Sequence, residues 1–220
     1  MLLYRFARAF CRAYFALRYG CRVEGLENIP SEGPVILVAN HISYLDPPLM
    51  GAAVERPVYF MAKAELFRNR LIAKILHRFN AFPVERGAAD RKAIRRSLEV
   101  LSEGNVLVMF PEGTRSRTGE LLPGQSGVAM LALRSRATVI PAGISGTSKE
   151  DRKLHPPTGR PIIALHFGPP VPLDDLYEAE DRRGAMREAV DRVMKAIRNQ
   201  VKISQQGRIP VANVEREQRV

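Results

Sequence analysis

The sequence predicts a single α/β domain, a sandwich in which a mixed or largely parallel central sheet is flanked by helices. Short apolar runs of the kind that form buried strands alternate along the chain with longer stretches of helical periodicity. The 220 residues are enough for one sizeable core. No linker or change of composition divides them into two domains.

Runs of branched aliphatic residues predict the strands, at 35–39, 58–61, 81–84, 106–110, 138–143 and 162–167. Helical periodicity occupies 88–102, 124–134 and a last long helix. The apolar stripe of that helix is typical of a core-facing surface and consists of Met186, Val190, Val193, Met194, Ile197 and Val201. We therefore divide the chain into an amphipathic helix at 1–23, the α/β domain at 24–204 and a polar tail at 205–220 whose composition favours disorder.

The strand at 35–39 leads directly into the string NHISYLD, which contains His41 and Asp46. A separation of five advances ~500° around an ideal helix, so the two side chains can meet only across a turn. Such a carboxylate would fix the imidazole tautomer and leave the other ring nitrogen free to take a proton, as in a general base. Alternatively, Asp46 caps the helix that begins at Pro47, and His41 is a buried histidine with a structural hydrogen bond.

Further polar clusters follow the next predicted strands. FPEGTRS, from Phe110 to Ser116, combines hydroxyls with guanidinium groups that suit a phosphate. FPVERG carries Arg86, and Lys63 follows the strand at 58–61. Ligands of open α/β sheets bind at the carboxyl ends of the strands, so these cations indicate an anionic substrate. An ordinary polar loop is the alternative for each cluster taken alone.

The strings NHISYLD, FPVERG, FPEGTRS and Val139-Ile140-Pro141 resemble, in order, the four motifs of the glycerolipid acyltransferase family. The resemblance covers about residues 33–146 and is closest to the bacterial 1-acylglycerol-3-phosphate acyltransferases. It implies that His41 is the base and Asp46 its partner. It also implies substrate-binding roles for Glu112, Gly113, Thr114 and Arg115 at the glycerophosphate, for Arg86 and Lys63 near the phosphate, and for Ile140 and Pro141 on the acyl side.

The reaction that the resemblance implies is transfer of a fatty acyl group from a thioester of CoA or acyl carrier protein to the sn-2 hydroxyl of a lysophosphatidate. Alternatives are another acceptor, such as glycerol 3-phosphate, another lysophospholipid or an amino-acyl lipid, and a non-catalytic basic membrane module. Ser43 is the candidate for a covalent route, but a GxSxG elbow is absent. We expect no cofactor and no metal, because glycine-rich nucleotide loops and metal-ligand spacings are absent from the sequence. The two cysteines lack any such spacing and favour a reducing compartment.

The net charge of +11 and pI of about 10.2 indicate a polyanionic partner, either nucleic acid or an anionic membrane surface. The first acidic residue is Glu24, and the arginines before it are interleaved with bulky apolar side chains, which favours the membrane. A helix over 2–18 would have an apolar side formed by Leu2, Leu3, Phe6, Phe10, Ala13, Tyr14 and Leu17, with Arg5, Arg8 and Arg12 opposite. Arginines at this density disfavour a spanning helix and favour a helix lying on the cytoplasmic face of the membrane. The alternative is a helix that caps the protein's own core.

A second basic amphipathic stretch runs over 65–79. Its apolar residues are Leu71, Ile72, Ile75, Leu76 and Phe79, beside a basic stripe of Arg70, Lys74, His77 and Arg78. We predict a solvated basic face over a core-facing apolar stripe, with membrane contact as the alternative.

Overall fold

The computed structural model describes residues 2–85, 90–149, 151 and 163–206. Its described residues form a sheet of seven strands in the order β1-β7-β6-β2-β5-β3-β4. The strands are Arg22–Glu24 (β1), Val35–Ala39 (β2), Val58–Lys63 (β3), Ala81–Val84 (β4), Val106–Met109 (β5), Thr138–Ser145 (β6) and Ala164–Phe167 (β7). All neighbours pair in parallel except β6 and β7, which are antiparallel. The predicted sandwich with a mixed, largely parallel sheet is confirmed.

Helices cover both faces of the sheet. They are Leu2–Tyr19 (α1), Asp46–Ala53 (α2), Arg70–Arg78 (α3), Arg91–Ser102 (α4), Gly127–Ser135 (α5) and Arg182–Gln206 (α6). The predicted strands and helices are present with ends shifted by a few residues, apart from the parts at 88–89 and 162, which lie outside the described residues. Most of the predicted tail at 205–220 also lies outside the described residues. The short strand β1 was not predicted, because a three-residue segment carries little periodicity, and α2 was expected only in the alternative in which Asp46 caps a helix that begins at Pro47.

The central strand β2 divides the core in two by the alternation of its side chains. Ile36 and Val38 belong to the cluster under α4, α5 and α6, whereas Val35, Leu37 and Ala39 belong to the cluster under α1 and α2. All five residues are buried, as expected for a strand hydrogen-bonded on both sides and covered on both faces. The same alternation directs His41 toward the α1 and α2 face.

The long helix α6 packs directly on the backbone of β6. A Cβ at Gly143 would lie 2.1 Å from the carbonyl carbon of Gln200, so only glycine permits this approach. The stripe predicted for the last helix is largely buried in the core, with Val193 and Ile197 fully covered.

Helix α1 has one buried face and one exposed face. Phe15 and Tyr19 are buried against α2, so the helix does cap the core. Of the predicted apolar side, Phe6, Phe10 and Leu17 are each at least 64% exposed. No helix in the described part of the chain is long and apolar enough to cross a bilayer.

The prediction of a core-facing apolar stripe on the second amphipathic segment is wrong. None of the nine residues of α3, all of which the structure describes, is buried. Leu71, Ile72 and Ile75 are 69%, 41% and 51% exposed, and Leu76 and Phe79 are half-buried. Periodicity correctly grouped these side chains on one face, but periodicity does not specify what covers that face.

Candidate active site

The parallel register of β2 and β5 brings the first and third motifs together. Val38 pairs with Met109 at a separation of 71 residues, and the same separation joins His41 to Glu112 just beyond the strand ends. The backbone N–H of His41 donates to Oε1 of Glu112 at 2.7 Å. The N–H of Ser116 donates to the carbonyl of His41 at 2.7 Å. The histidine backbone is therefore held on both sides by the FPEGTRS loop.

His41 and Asp46 meet across a turn, as their spacing requires. Nδ1 of His41 lies 2.9 Å from Oδ2 of Asp46, and the two side chains are 8% and 0% exposed. An ionised carboxylate only accepts hydrogen bonds, so this contact places the ring proton on Nδ1 and leaves Nε2 as the acceptor. The arrangement matches a base oriented by a carboxylate.

Asp46 has structural contacts as well, but it does not cap the following helix. It is the first residue of α2, and the cap position before it is occupied by Leu45 without a side-chain cap. Oδ2 of Asp46 accepts from the N–H groups of Ile42 and Ser43 at 2.7 Å each. Oδ1 accepts from the hydroxyl of Thr147 at 2.7 Å. The carboxylate thus organises the turn that carries the histidine, and the predicted N-cap alternative is excluded.

Glu112 is buried with both carboxylate oxygens engaged. Besides His41, it accepts from the N–H of Leu122 at 2.8 Å through Oε2. Burial raises the pKa of Glu112; the two N–H donors act against the rise, and the charge of Asp46 adds to it. Gly113 follows with a φ of +69°, a left-handed conformation that explains the glycine in this motif. The geometry makes Glu112 a residue that holds the loop and the histidine backbone in place.

A cavity of about 930 Å³ opens beside the histidine. The ring of His41 stacks on Phe110, with centroids 4.3 Å apart, and both residues line the cavity. Apolar parts of the lining come from α1, through Tyr4, Ala7 and Cys11, and from the segment around α3, through Leu66, Leu76 and Phe79. Such an apolar lining suits hydrocarbon.

Cationic and polar side chains reach the same cavity. Lys63 lines it and is paired with Glu65 at 2.9 Å. Gly113, Thr114 and Arg115 also line it. The guanidinium of Arg115 lies 3.4 Å from the ring centroid of Tyr44, which is 74% exposed. This cation–π contact fixes an otherwise flexible side chain at the cavity wall.

Of the predicted site residues, Arg86 lies outside the described part of the chain. Asp46 and Glu112 contact His41 but are not among the described residues that line the cavity. Ile140 and Pro141 belong to β6, where they are buried beside β2 and are absent from the described cavity lining. Any effect of these two on acyl binding would be indirect, through the position of β2.

Sequence reasoning missed two residues that support the site. Thr147 is fully buried and bonded to Asp46. The side chain of Asn40 exchanges two hydrogen bonds with the backbone of Ile144, at 2.8 and 2.9 Å, and so joins the ends of β2 and β6. The rule that singled out His41, a polar residue just after a strand that ends at this edge of the sheet, applies equally to Thr147.

Potential metal ligands are sparse at this site. Across the described residues, no three side chains of His, Cys, Asp or Glu are grouped as they would be around a metal ion. The expectation of a site without a metal or cofactor stays a prediction.

Comparison with known proteins agrees with the fold and the motifs. The 1-acyl-sn-glycerol-3-phosphate acyltransferase of Bacillus subtilis is 28% identical over 202 residues, 90% of this chain and 98% of that protein. The protein of the same name from Streptococcus pneumoniae is 29% identical over 70% of this chain and 57% of its own length. The crystal structure of the 1-acyl-sn-glycerophosphate (LPA) acyltransferase PlsC from Thermotoga maritima superposes with a TM-score of 0.66 at 28% identity, covering 89% of this chain and 79% of that one.

The acyltransferase family profile matches residues 20–145, which include the strands and the loops that form the site. Together with the paired His41 and Asp46 at the strand ends, this match shows that the chain belongs to the acyltransferase family and is an enzyme of that family.

Proposed function

We propose that this enzyme moves a fatty acyl group from an acyl thioester to the sn-2 hydroxyl of 1-acylglycerol-3-phosphate and so makes phosphatidic acid. The observation that carries the proposal is the His41–Asp46 pair at the wall of a large apolar cavity that also receives Lys63 and Arg115. An apolar cavity with cations near the base suits a substrate that has both a hydrocarbon chain and a phosphate. The named activities of the bacterial relatives support the same substrate.

In the proposed mechanism, Nε2 of His41 takes the proton of the acceptor hydroxyl while the oxygen attacks the thioester carbonyl carbon. The tetrahedral intermediate then expels the thiolate, which recovers the proton from the imidazolium, giving an ester and a thiol. Asp46 stabilises the imidazolium between these steps. Base catalysis of this kind contributes roughly 10²–10⁴-fold. A covalent route through Ser43 is unnecessary, because a thioester is already activated toward attack.

The anion site in this proposal consists of Arg115 and Lys63, with Arg86 from the second motif. Gly113 and Thr114 form the loop from which Arg115 projects, and Glu112 anchors that loop to the histidine backbone. A bound phosphate would hold the acceptor so that its hydroxyl lies against Nε2 of His41. The free energy of phosphate binding would thereby orient the hydroxyl for attack. The donor is CoA or acyl carrier protein thioester, and Ile140 and Pro141 act on the acyl side by supporting β2.

The proposed partner of α1 is the anionic cytoplasmic surface of the membrane. Its outward face presents Phe6, Phe10 and Leu17, and the arginines Arg12 and Arg18 of the same helix are also exposed. Arg8 has another task, because its guanidinium donates to the carbonyls of Val54 and Glu55 at the end of α2. Peripheral attachment would bring the cavity to its lipid substrate.

The decisive experiment incubates the purified enzyme with acyl-CoA or acyl carrier protein thioester and a panel of acceptors. We expect phosphatidic acid from lysophosphatidate with the highest kcat/KM, identified by product mass. A higher kcat/KM with glycerol 3-phosphate, another lysophospholipid or an amino-acyl lipid would replace the proposed acceptor. Turnover with none of them would favour the non-catalytic membrane module.

A further inference from the structure

Helix α3 leaves an unusual surface on the outside of the protein. Leu71, Ile72 and Ile75 are largely exposed, and Arg70, Lys74 and Arg78 are exposed beside them. We call these six side chains the α3 surface. A soluble protein rarely exposes neighbouring large aliphatic residues on one short helix unless another surface covers them.

The charge of this segment indicates what covers it. The sequence of α3 contains no acidic residue, and the 3₁₀ turn before it adds Arg68. The one acid of that turn, Glu65, is already paired with Lys63. In the described part of the chain Arg70, Lys74 and Arg78 form no ion pair. An apolar face bordered by such cations is complementary to an anionic lipid surface, which accepts both features at once.

The position of the helix points to the same occupant. Leu76 and Phe79, on the inner edge of the apolar face, line the cavity beside His41, and Leu66 does so from the preceding turn. The α3 surface is therefore continuous with the wall of the cavity. The lining of the same cavity also includes residues of α1, a helix on which Phe6, Phe10 and Leu17 are exposed. Two amphipathic helices thus border one apolar cavity.

We propose that α3 is a second bilayer-docking helix, whose Leu71, Ile72 and Ile75 insert among the acyl chains of an anionic leaflet while Arg70, Lys74 and Arg78 contact its headgroups. This docking rests on the proposed function in one respect, because a lipid acceptor would enter the cavity from the bilayer between α1 and α3. The insertion itself is a physical property of the helix and can be measured without turnover.

The chain contains no tryptophan, so one introduced tryptophan is a unique probe. We would place it by Leu71→Trp and measure its emission with the full-length protein in vesicles of phosphatidylcholine alone, with added phosphatidylglycerol, and with brominated lipid. We expect a blue shift and bromine quenching in the anionic vesicles. The matched control is Ile203→Trp on α6, which is 40% exposed and is not among the described residues that line the cavity; it should show neither change.

A second pair of variants measures how much the cations of α3 contribute to vesicle binding. Neutralising Lys74 and Arg78 with glutamine should weaken binding to the anionic vesicles by about 25-fold, about fivefold for each charge near the surface. The control neutralises Lys195 and Lys202 on the exposed side of α6, which changes the net charge equally. That control should leave binding within about twofold, because charges beyond a Debye length of the bilayer are screened.

Three results would overturn the proposal. One is vesicle binding with an unshifted, unquenched tryptophan at 71. Another is equal weakening by the α3 and α6 charge pairs. The third is a blue shift that rises with protein concentration in the absence of lipid, which would make the α3 surface an interface between copies of the chain. Circular dichroism of each variant would show whether the fold is retained, so that a change in fluorescence or vesicle binding is not attributed to misfolding.

Turnover separates this proposal from the proposed function. If the tryptophan at 71 enters the bilayer but no phosphorylated acceptor is acylated, docking stands and the acceptor assignment fails. If a short-chain soluble lysophosphatidate is acylated normally while the probe stays in water, the assignment stands and the docking of α3 fails.

Discussion

The strand-end site and the outer surfaces of α1 and α3 border the same cavity but are built in opposite ways. At the strand ends, the backbone N–H and Nδ1 of His41 and the carboxylates of Asp46 and Glu112 are buried and paired with donors or acceptors at 2.7–2.9 Å. On the two helices, apolar side chains such as Phe6, Phe10 and Leu71 are exposed. Chemistry needs one geometry held within a fraction of an ångström, whereas contact with a fluid bilayer needs area and charge.

The largest effect is expected at the buried site. His41→Ala should reduce turnover by roughly 10²–10⁴-fold, because the base that takes the hydroxyl proton is lost. Steady-state kinetics with lysophosphatidate and an acyl thioester would measure it, and thermal unfolding would show that the fold remains. The control is His166→Ala, since His166 is bonded to Gln200 outside the cavity. Near-normal turnover in a folded His41→Ala enzyme would contradict the mechanism.

Asp46→Asn separates orientation from charge at the same site. The Thr147 hydroxyl can accept as well as donate, so an asparagine can turn its NH₂ toward Thr147 and keep its oxygen toward His41. We expect a fold close to that of the parent and a loss of turnover on the order of 10²-fold, because the imidazolium loses its counter-charge. The control Thr147→Val should do the reverse, lowering the melting temperature more than turnover. Equal behaviour of the two variants would make Asp46 purely structural.

Substitution of Arg115 tests the proposed anion site at the cavity wall. Arg115→Ala should raise KM for a phosphorylated acceptor by about 10- to 150-fold, the equivalent of a charge-assisted hydrogen bond of roughly 1.5–3 kcal/mol. Lysine should restore only part of this, because it lacks the planar fork. The neighbouring Arg117 is exposed and lies outside the described cavity lining, so Arg117→Ala is the matched control. Equal losses with an acceptor lacking the phosphate would remove Arg115 from the anion site.

The last expected effect concerns α1 alone and appears in membrane binding rather than in turnover. Reversing Arg12 and Arg18 with glutamate should weaken binding to anionic vesicles by at least about 25-fold at low salt, because each cation near the surface supplies about 1 kcal/mol. Vesicle co-sedimentation would measure it, and Arg8 is left intact because it holds α2. The comparison variant reverses Arg95 and Arg198, exposed on helices of the other sheet face. Unchanged vesicle binding would leave α1 as a structural cap only.

The sequence predicted the first region better than the second. Strand runs and the spacing of His41 and Asp46 leave one way for the two side chains to meet, and a parallel register then brings Glu112 beside them. The hydrogen bond between Thr147 and Asp46 could not be predicted, because it depends on β6 being the neighbour of β2 in the sheet. For α3, periodicity grouped Leu71, Ile72 and Ile75 correctly, but a helical face that packs on a core and one that meets a bilayer have the same pattern.

The double attachment of the His41 backbone has a consequence for selectivity. The loop between Glu112 and Ser116 holds the histidine N–H at one end and its carbonyl at the other, and Arg115 lies between them. Under the proposed function, a phosphate bound at Arg115 would steady the loop that holds the His41 backbone. The acceptor's phosphate would then contribute to kcat as well as to KM, and water, which has no phosphate, would meet a base that is less well oriented. The thioester of the proposed reaction would thereby be protected from hydrolysis until a phosphorylated acceptor binds.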